Sequence, residues 1–449
     1  MAKKIIYNGD IINEGKKFRG YVVIKDELID AVAEGQPSPE LLAECDERND
    51  VDGAYVMPGV IDDQVHFRDP GLTHKADIAT ESAAAVAGGV TSYMDMPNTV
   101  PPTVTLEALE AKNKRASEVS VANYGFFIGA TNDNLSTLLA VDYAYTPGVK
   151  LFLGASTGNM LVNDKDALKG IFSEVPALVA IHSEDEMLIR RNREYYVKKF
   201  GEDLPVTYHP LIRSMEVCYK STAKAVEMAE KYGTRLHVLH VSTAKETELF
   251  SNAPIEEKRI TSEVCVHHLW FTDEDYARYG NLIKWNPAIK TWDDRQALRA
   301  ALAQNYIDIV ATDHAPHLLS EKQGSCLKTA SGGPLVQHSL VAMFELASQK
   351  VFDETLVVEK MCHAPARLYG IDRRGYLRPG YYADVVVLDK NIPFTVRTEN
   401  ILSKCGWSPF EGVTFSHSVR QTYVNGALAY DQGFVNRAVR GRRLIYNVK

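Results

Sequence analysis

Between residues 54 and 313, short β-rich apolar runs alternate with helix-like stretches, and this regularity constrains the fold more than any other feature of the chain. The strand candidates are AYVMPGVIDDQVHF, GVTSYMDM, NYGFFIGAT, GVKLFLG, ALVAIHSE, RLHVLHVS, ITSEVCVHHL and IDIVATDHA, eight in all. Between them, stretches such as ADIATESAAAVAGG, LEALEAKNKRASEV, MEVCYKSTAKAVEMAEKYG and DDRQALRAALAQN carry apolar residues at three- and four-residue spacing, as amphipathic crossover helices require. Eight such alternations over this length predict an α/β fold, a (β/α)8 barrel of the TIM type. The α/β alternative, a doubly wound sheet, would be expected to show a Gly-rich phosphate loop after its first strand, and none is present.

The flanks read differently. Residues 3–33 and 375–432 are strand-and-turn sequence, with Asn-Gly at 8–9 and 425–426 as hairpin signals. Neither flank is long enough to bury a comfortable core. The two ends are therefore expected to pair into a small, sandwich-like β-domain (residues 1–56 and 375–449) beside a barrel of residues 57–374.

Composition narrows the function. The 449 residues carry 50 Lys plus Arg against 58 Asp plus Glu, a net charge of -8. Nucleic acid and anionic membrane are poor partners for such a chain, because phosphate binding draws on clustered cations. An anionic substrate would need a local positive field. The start reaches polar residues after three apolar ones, and no run of about 18 apolar residues occurs, so neither a signal peptide nor a membrane span is expected. The six cysteines form no CxxC pair, which predicts reduced thiols and a cytoplasmic location.

A barrel's chemistry sits at the C-terminal ends of its strands. Strand one ends in Gln64, Val65, His66, Phe67, Arg68; strand four carries Lys150; strand five ends in His182, strand six in His240, and strand eight in Asp313, His314. Imidazole and carboxylate converging on one rim suit Zn²⁺ or a similar divalent ion. Taken singly, each His also reads as a hydrogen-bonded rim residue, and His237, His267, His268, His314 and His363 cannot all be ligands. Lys150 is stranger, because an ammonium facing a barrel interior is costly without a partner. It either snorkels outward or is chemically altered so that it is no longer a cation.

Joint occurrence of these residues is where the chain resembles the cyclic-amidohydrolase superfamily, and within it the class I dihydroorotases. The matching stretches are MPGVIDDQVHFRDPG, GGVTSYMDMPNT, GVKLFLGAS, IHSEDE, LHVLHVSTA, EVCVHHLWFT, WNPAIK, TDHAPH, GGPLVQHSL and APARLYG, spanning essentially the whole chain. The resemblance implies a strand-four Lys150 carboxylated by CO2, its carbamate bridging two metals, with one or two Zn²⁺ ions per subunit. One ion would be held by the carbamate, His182 and His240, the other by the carbamate, Asp313 and the strand-one residues. The sequence departs from the family here. Where the pattern has His-x-His, this chain has Gln64, Val65, His66, and Gln64 offers only a neutral amide oxygen.

The resemblance further implies interconversion of dihydroorotate and N-carbamoyl-aspartate, with Asp313 exchanging protons with water and the ring nitrogen. Arg68 offers the fork geometry that binds a carboxylate. Asn98 and His317 would join it, Asn286 would face the pyrimidine edge, and the backbone at Gly332 and Gly333, in the polar loop 318–334, would lie near the ring. Read alone, Asn98 and Asn286 pass as turn residues beside proline. Two rival functions remain open: a hydantoinase or allantoinase, for which Arg68 has no evident use, and a catalytically silent scaffold subunit, which Gln64 invites. Homo-oligomerisation is also left open.

Overall fold

The computed structural model describes residues 2–154 and 160–447. The last two residues of the stretch GVKLFLGAS lie outside the described residues. Eight parallel barrel strands follow in chain order: Val60–Val65, Val90–Asp95, a third in two pieces (Asn123–Phe126 and Ile128–Gly129), Val149–Phe152, Val179–His182, Leu236–Val238, Ile260–Cys265 and Ile309–Ala311. Strands one to three form one ladder and the rest another. Strand three joins strand four through Ile128 beside Val149. The barrel closes where Val65 bridges His314 and the His66 amide donates to the His314 carbonyl at 2.7 Å. The crossover helices bury their apolar stripes against this cylinder, as in Leu109 and Ala116 of Leu106–Val119 or Val217, Ala225 and Ala229 of Met215–Tyr232. Among the described residues, no helix is long and apolar enough to cross a membrane.

Both chain ends contribute to one nine-stranded sheet. Its N-terminal strands Lys3–Asn13, Lys16–Lys25 and Leu28–Glu34 meet the C-terminal strands Val385–Asp389, Ser418–Val424 and Ala427–Asp431 through Tyr55–Pro58. Ile6, Ile11, Val22, Ile24 and Val56 pack there with Val385, Val387 and Tyr423. The run AYVMPGVIDDQVHF is thus two strands. Tyr55–Pro58 belongs to the terminal sheet and Val60–Val65 to the barrel, with Gly59 between them. A Cβ on Gly59 would stand 2.0 Å from the Thr91 hydroxyl, so the crossing is passable only without a side chain.

The two Asn-Gly pairs separate. Asn425-Gly426 makes the expected hairpin turn, with φ of 49° and 76°. Asn8-Gly9 does not turn the chain. It lies inside the strand Lys3–Asn13, where the register shifts between Ile6 and Gly9, and Asn8 takes a φ of 59°. The positive φ that Asn tolerates is used there for a bulge, and the hairpin turns at Glu14-Gly15 instead. The last described residues return to the barrel, where Arg443 bridges Tyr124 and Tyr446 bridges Ile371.

Candidate active site

Strand register delivers the first side chains. Lys150 is paired with Ala180 and Phe152 with His182, so Lys150, Phe152 and His182 share one face, two residues apart, because side chains alternate along a strand. Three other positions leave the strand geometry at the rim: Arg68, His240 and Asp313 have φ of 65°, 42° and 48°. A left-handed non-glycine residue costs about 1–3 kcal/mol, and its presence at three strand ends marks where the fold holds strain.

The rim encloses a cavity of about 240 Å³ lined by Gln64, His66, Arg68, Asn98, Lys150, Phe152, His182, His240, Asn286, Asp313, Ala315, His317, Ala330 and Ser331. Ten side chains expected from the sequence therefore meet on one surface. Gly332 and Gly333 are not among its lining residues. A Cβ on Gly332 would stand 2.6 Å from the Ala315 carbonyl, and one on Gly333 would press on Trp285 and Trp407.

On one side of the cavity, His182 Nδ1 faces His240 Nε2 at 2.9 Å. The other nitrogen of His182 donates to Glu184 Oε2 at 2.9 Å, and Arg213 pairs with the same carboxylate. That contact puts the ring proton on Nε2 and leaves the Nδ1 lone pair aimed at His240. Burial lowers the pKa of both imidazoles, against Glu184 for His182 and together with His182 and Lys150 for His240, so both are neutral. Opposite them, His66 Nε2 meets Asp313 Oδ1 at 3.0 Å, and its Nδ1 meets Asn98 Oδ1 at 2.7 Å.

Lys150 is 1% exposed, and its ammonium has no hydrogen-bond or ion-pair partner among the described residues. Nζ stands 4.7 Å from the centre of the Phe152 ring. Burial pushes its pKa down to about 8, despite the nearby Asp313 and Glu263 carboxylates. These donors fit a divalent ion: two neutral imidazoles whose nitrogens meet at 2.9 Å, a second imidazole–carboxylate pair, and a lysine prepared to give up its charge.

The far end of the cavity is positive. The Arg68 guanidinium is 6% exposed, donates through Nε to the Pro316 carbonyl at 3.1 Å and has no carboxylate partner among the described residues. Its NH2 group lies 3.1 Å from His317 Nε2, while Lys75 Nζ lies 3.1 Å from His317 Nδ1. Burial, Arg68 and Lys75 hold His317 neutral, and a neutral ring can accept from only one of these cations. Asn286 Oδ1 is buried without a partner among the described residues.

Residues 55–429 match the amidohydrolase family. The chain belongs to the amidohydrolase family. This amidohydrolase is 32% identical over 424 residues to a dihydroorotase of Methanosarcina acetivorans, covering 92% of this chain and 85% of that protein. It is 30% identical over 441 residues to an allantoinase of Bacillus velezensis, covering 96% and 95%. Among solved structures it resembles the L-hydantoinase (dihydropyrimidinase) of Arthrobacter aurescens, with a TM-score of 0.90 at 26% identity over 97% of this chain and 98% of that one.

Several parts of the amidohydrolase site escaped the sequence reading. Glu184 and Arg213 are 29 residues apart, and only the motif IHSEDE hinted at the first. Lys322 is a second case. Its buried Nζ donates to the carbonyls of Lys284, Ala330 and Gly332 at 3.2, 2.9 and 2.7 Å, pinning the loop 318–334 that supplies Ala330 and Ser331 to the cavity. A lysine in a polar loop reads as solvated, and nothing in its neighbours suggested burial.

Proposed function

We propose that this amidohydrolase is a dihydroorotase, interconverting dihydroorotate and N-carbamoyl-L-aspartate in de novo pyrimidine biosynthesis in the cytoplasm. The observation that carries the reading is Arg68. A buried guanidinium without a carboxylate is costly, and one lining a small cavity calls for an anionic ligand. The carboxylate of dihydroorotate supplies that anion, and the fork of Arg68 can bind it with two parallel hydrogen bonds. Asn98 and neutral His317 complete the carboxylate pocket. Asn286, with its free oxygen, accepts from a ring N–H.

His182, His240 and Lys150 would hold one Zn²⁺, with Lys150 as its carbamate. His66 and Asp313 would contribute to a second site, which Gln64 weakens by offering an amide oxygen in place of an imidazole. Lys150 suits the modification because burial favours its neutral amine, the form that reacts with CO2. When bound, the metal supplies Lewis acidity toward the ring carbonyl and toward water. Asp313 takes a proton from the attacking water and returns it to the departing ring nitrogen, and in cyclisation it acts in reverse. His66, 3.0 Å from Asp313 Oδ1, orients that carboxylate.

The allantoinase and L-hydantoinase relatives favour a second reading, a cyclic amide without a carboxylate. Parallel assays of the metal-loaded enzyme with dihydroorotate, hydantoin and allantoin separate the two. Turnover of dihydroorotate above the others is expected; turnover of hydantoin or allantoin with none of dihydroorotate would overturn the proposal. A protein that binds metal and turns over none of them would be a scaffold.

A further inference from the structure

Beside the cavity, strand seven (Ile260–Cys265) runs straight into a short helix, Val266–Trp270. Cys265, His267 and His268 each present one donor atom within 4.8 Å of the other two. They are 0%, 0% and 2% exposed. The Cys265 thiol also donates to Gln64 Oε1 at 3.6 Å, two strands away around the barrel.

The imidazoles are poised as ligands are. His268 Nε2 donates to the Pro287 carbonyl at 3.2 Å, which fixes its proton there and leaves Nδ1 as a bare lone pair; that atom is buried and without a partner. His267 is stacked on Trp285, with ring centres 4.4 Å apart, and neither of its nitrogens makes a well-formed hydrogen bond. The Thr312 carbonyl lies near enough to oppose, weakly, the burial that keeps this ring neutral. A carbonyl behind the ring and an open nitrogen in front is the usual outer support of a metal-bound histidine. Left unfilled, each buried polar group without a partner costs about 1–3 kcal/mol.

A second close group, Asp63, His237 and Glu263, leaves Asp63 Oδ1 without a partner but has no imidazole nitrogen free. His237 there already bonds Thr261 and Glu263, and Tyr369 donates to Asp63.

We propose that Cys265, His267 and His268 form a transition-metal site for Zn²⁺ or an ion of similar softness, separate from the cavity ligands, with Gln64 Oε1 as the fourth donor. Tetrahedral zinc with ordinary Zn–S and Zn–O bonds places sulfur and oxygen about 3.6 Å apart, and the Cys265–Gln64 pair already has that separation. The imidazole nitrogens need to close by about 1 Å. Binding exchanges the thiol proton for the ion and releases it to solvent. This draws the Gln64 amide oxygen away from the second cavity position, where it is the weakest donor. The site does not depend on which ring the enzyme hydrolyses.

Sulfur makes the test selective, because the cavity-lining residues offer only nitrogen and oxygen donors. The full-length protein is stripped of metal, loaded with Co²⁺, and examined for thiolate-to-cobalt charge-transfer absorption and for metal equivalents by elemental analysis. Wild type should show the band. Cys265→Ser should lose the band and one equivalent, while Lys150→Ala should keep the band after losing the cavity metal. His268→Gln, with folding checked by circular dichroism, should weaken cobalt binding at least tenfold (~10-fold for an outer change, more for a ligand). Bound cobalt without the band in wild type, or an unchanged Cys265→Ser, would overturn the proposal and leave the cavity reading standing. Loss of the band in Lys150→Ala would also overturn it, by making Cys265 part of the cavity centre. A wild-type chain that takes up no cobalt would overturn both.

Discussion

Replacing Arg68 with methionine separates substrate recognition from folding. The guanidinium is buried, donates to the Pro316 carbonyl, touches His317 and lacks a carboxylate partner among the described residues. Methionine keeps an unbranched apolar stem while removing the guanidinium and its charge. Truncating one side of a buried charge pair costs about 2–5 kcal/mol, which at ~1.36 kcal/mol per decade lowers kcat/KM for dihydroorotate roughly 30- to 5,000-fold. The loss should fall mainly on KM, because the carboxylate is bound alike in ground and transition states. Folding should change little. Relief of the desolvated cation opposes the loss of two hydrogen bonds worth about 0.5–1.5 kcal/mol each, more where charged. The assay is steady-state hydrolysis of dihydroorotate and of a carboxylate-free cyclic amide, with thermal melts alongside. An equal fall for both rings, or an unchanged kcat/KM for dihydroorotate, would refute the assignment of Arg68 to a carboxylate.

Lys150→Ala should lose most cavity metal and activity, with partial rescue by a short carboxylic acid that replaces the carbamate; unchanged metal content by elemental analysis would refute the carbamate. Glu184→Gln keeps the shape but weakens the hold on His182, so metal affinity measured by chelator competition should fall about 10- to 100-fold. The same residue sets a pH dependence. Burial raises the Glu184 pKa, but Arg213 and His182 outweigh it and hold it at about 2, below the ordinary 4.5. Its stabilisation, about 3 kcal/mol, is therefore present above pH 4.5 and lost as pH falls toward 2, so the stability gap between wild type and Glu184→Gln in urea should close across that window. Lys322→Met should strand the carbonyls of Lys284, Ala330 and Gly332, destabilise by about 3 kcal/mol or more, and raise hydrogen exchange in residues 318–334; unaltered exchange would show that the loop is held by other contacts.

The sequence by itself determined the eight barrel strands and the rim positions of His66, Arg68, Lys150, His182, His240 and Asp313. These follow from short-range rules: the period of two along a strand, the helical period between strands, and the location of barrel chemistry at strand ends. Tertiary structure alone decided the rest. Asn8-Gly9 and Asn425-Gly426 are the same dipeptide, and only the neighbouring strands make one a bulge and the other a turn. Arg68 announces an arginine, but its lack of a carboxylate among the described residues depends on what the barrel packs around it. Lys322 becomes a buried clamp because three carbonyls from two segments converge on it. Gln64 and Cys265, 201 residues apart, meet only when strands one and seven reach the same rim. Local propensity acts over a few residues, whereas partner choice for a polar group is set by desolvation, and that is known only once the chain has closed around it.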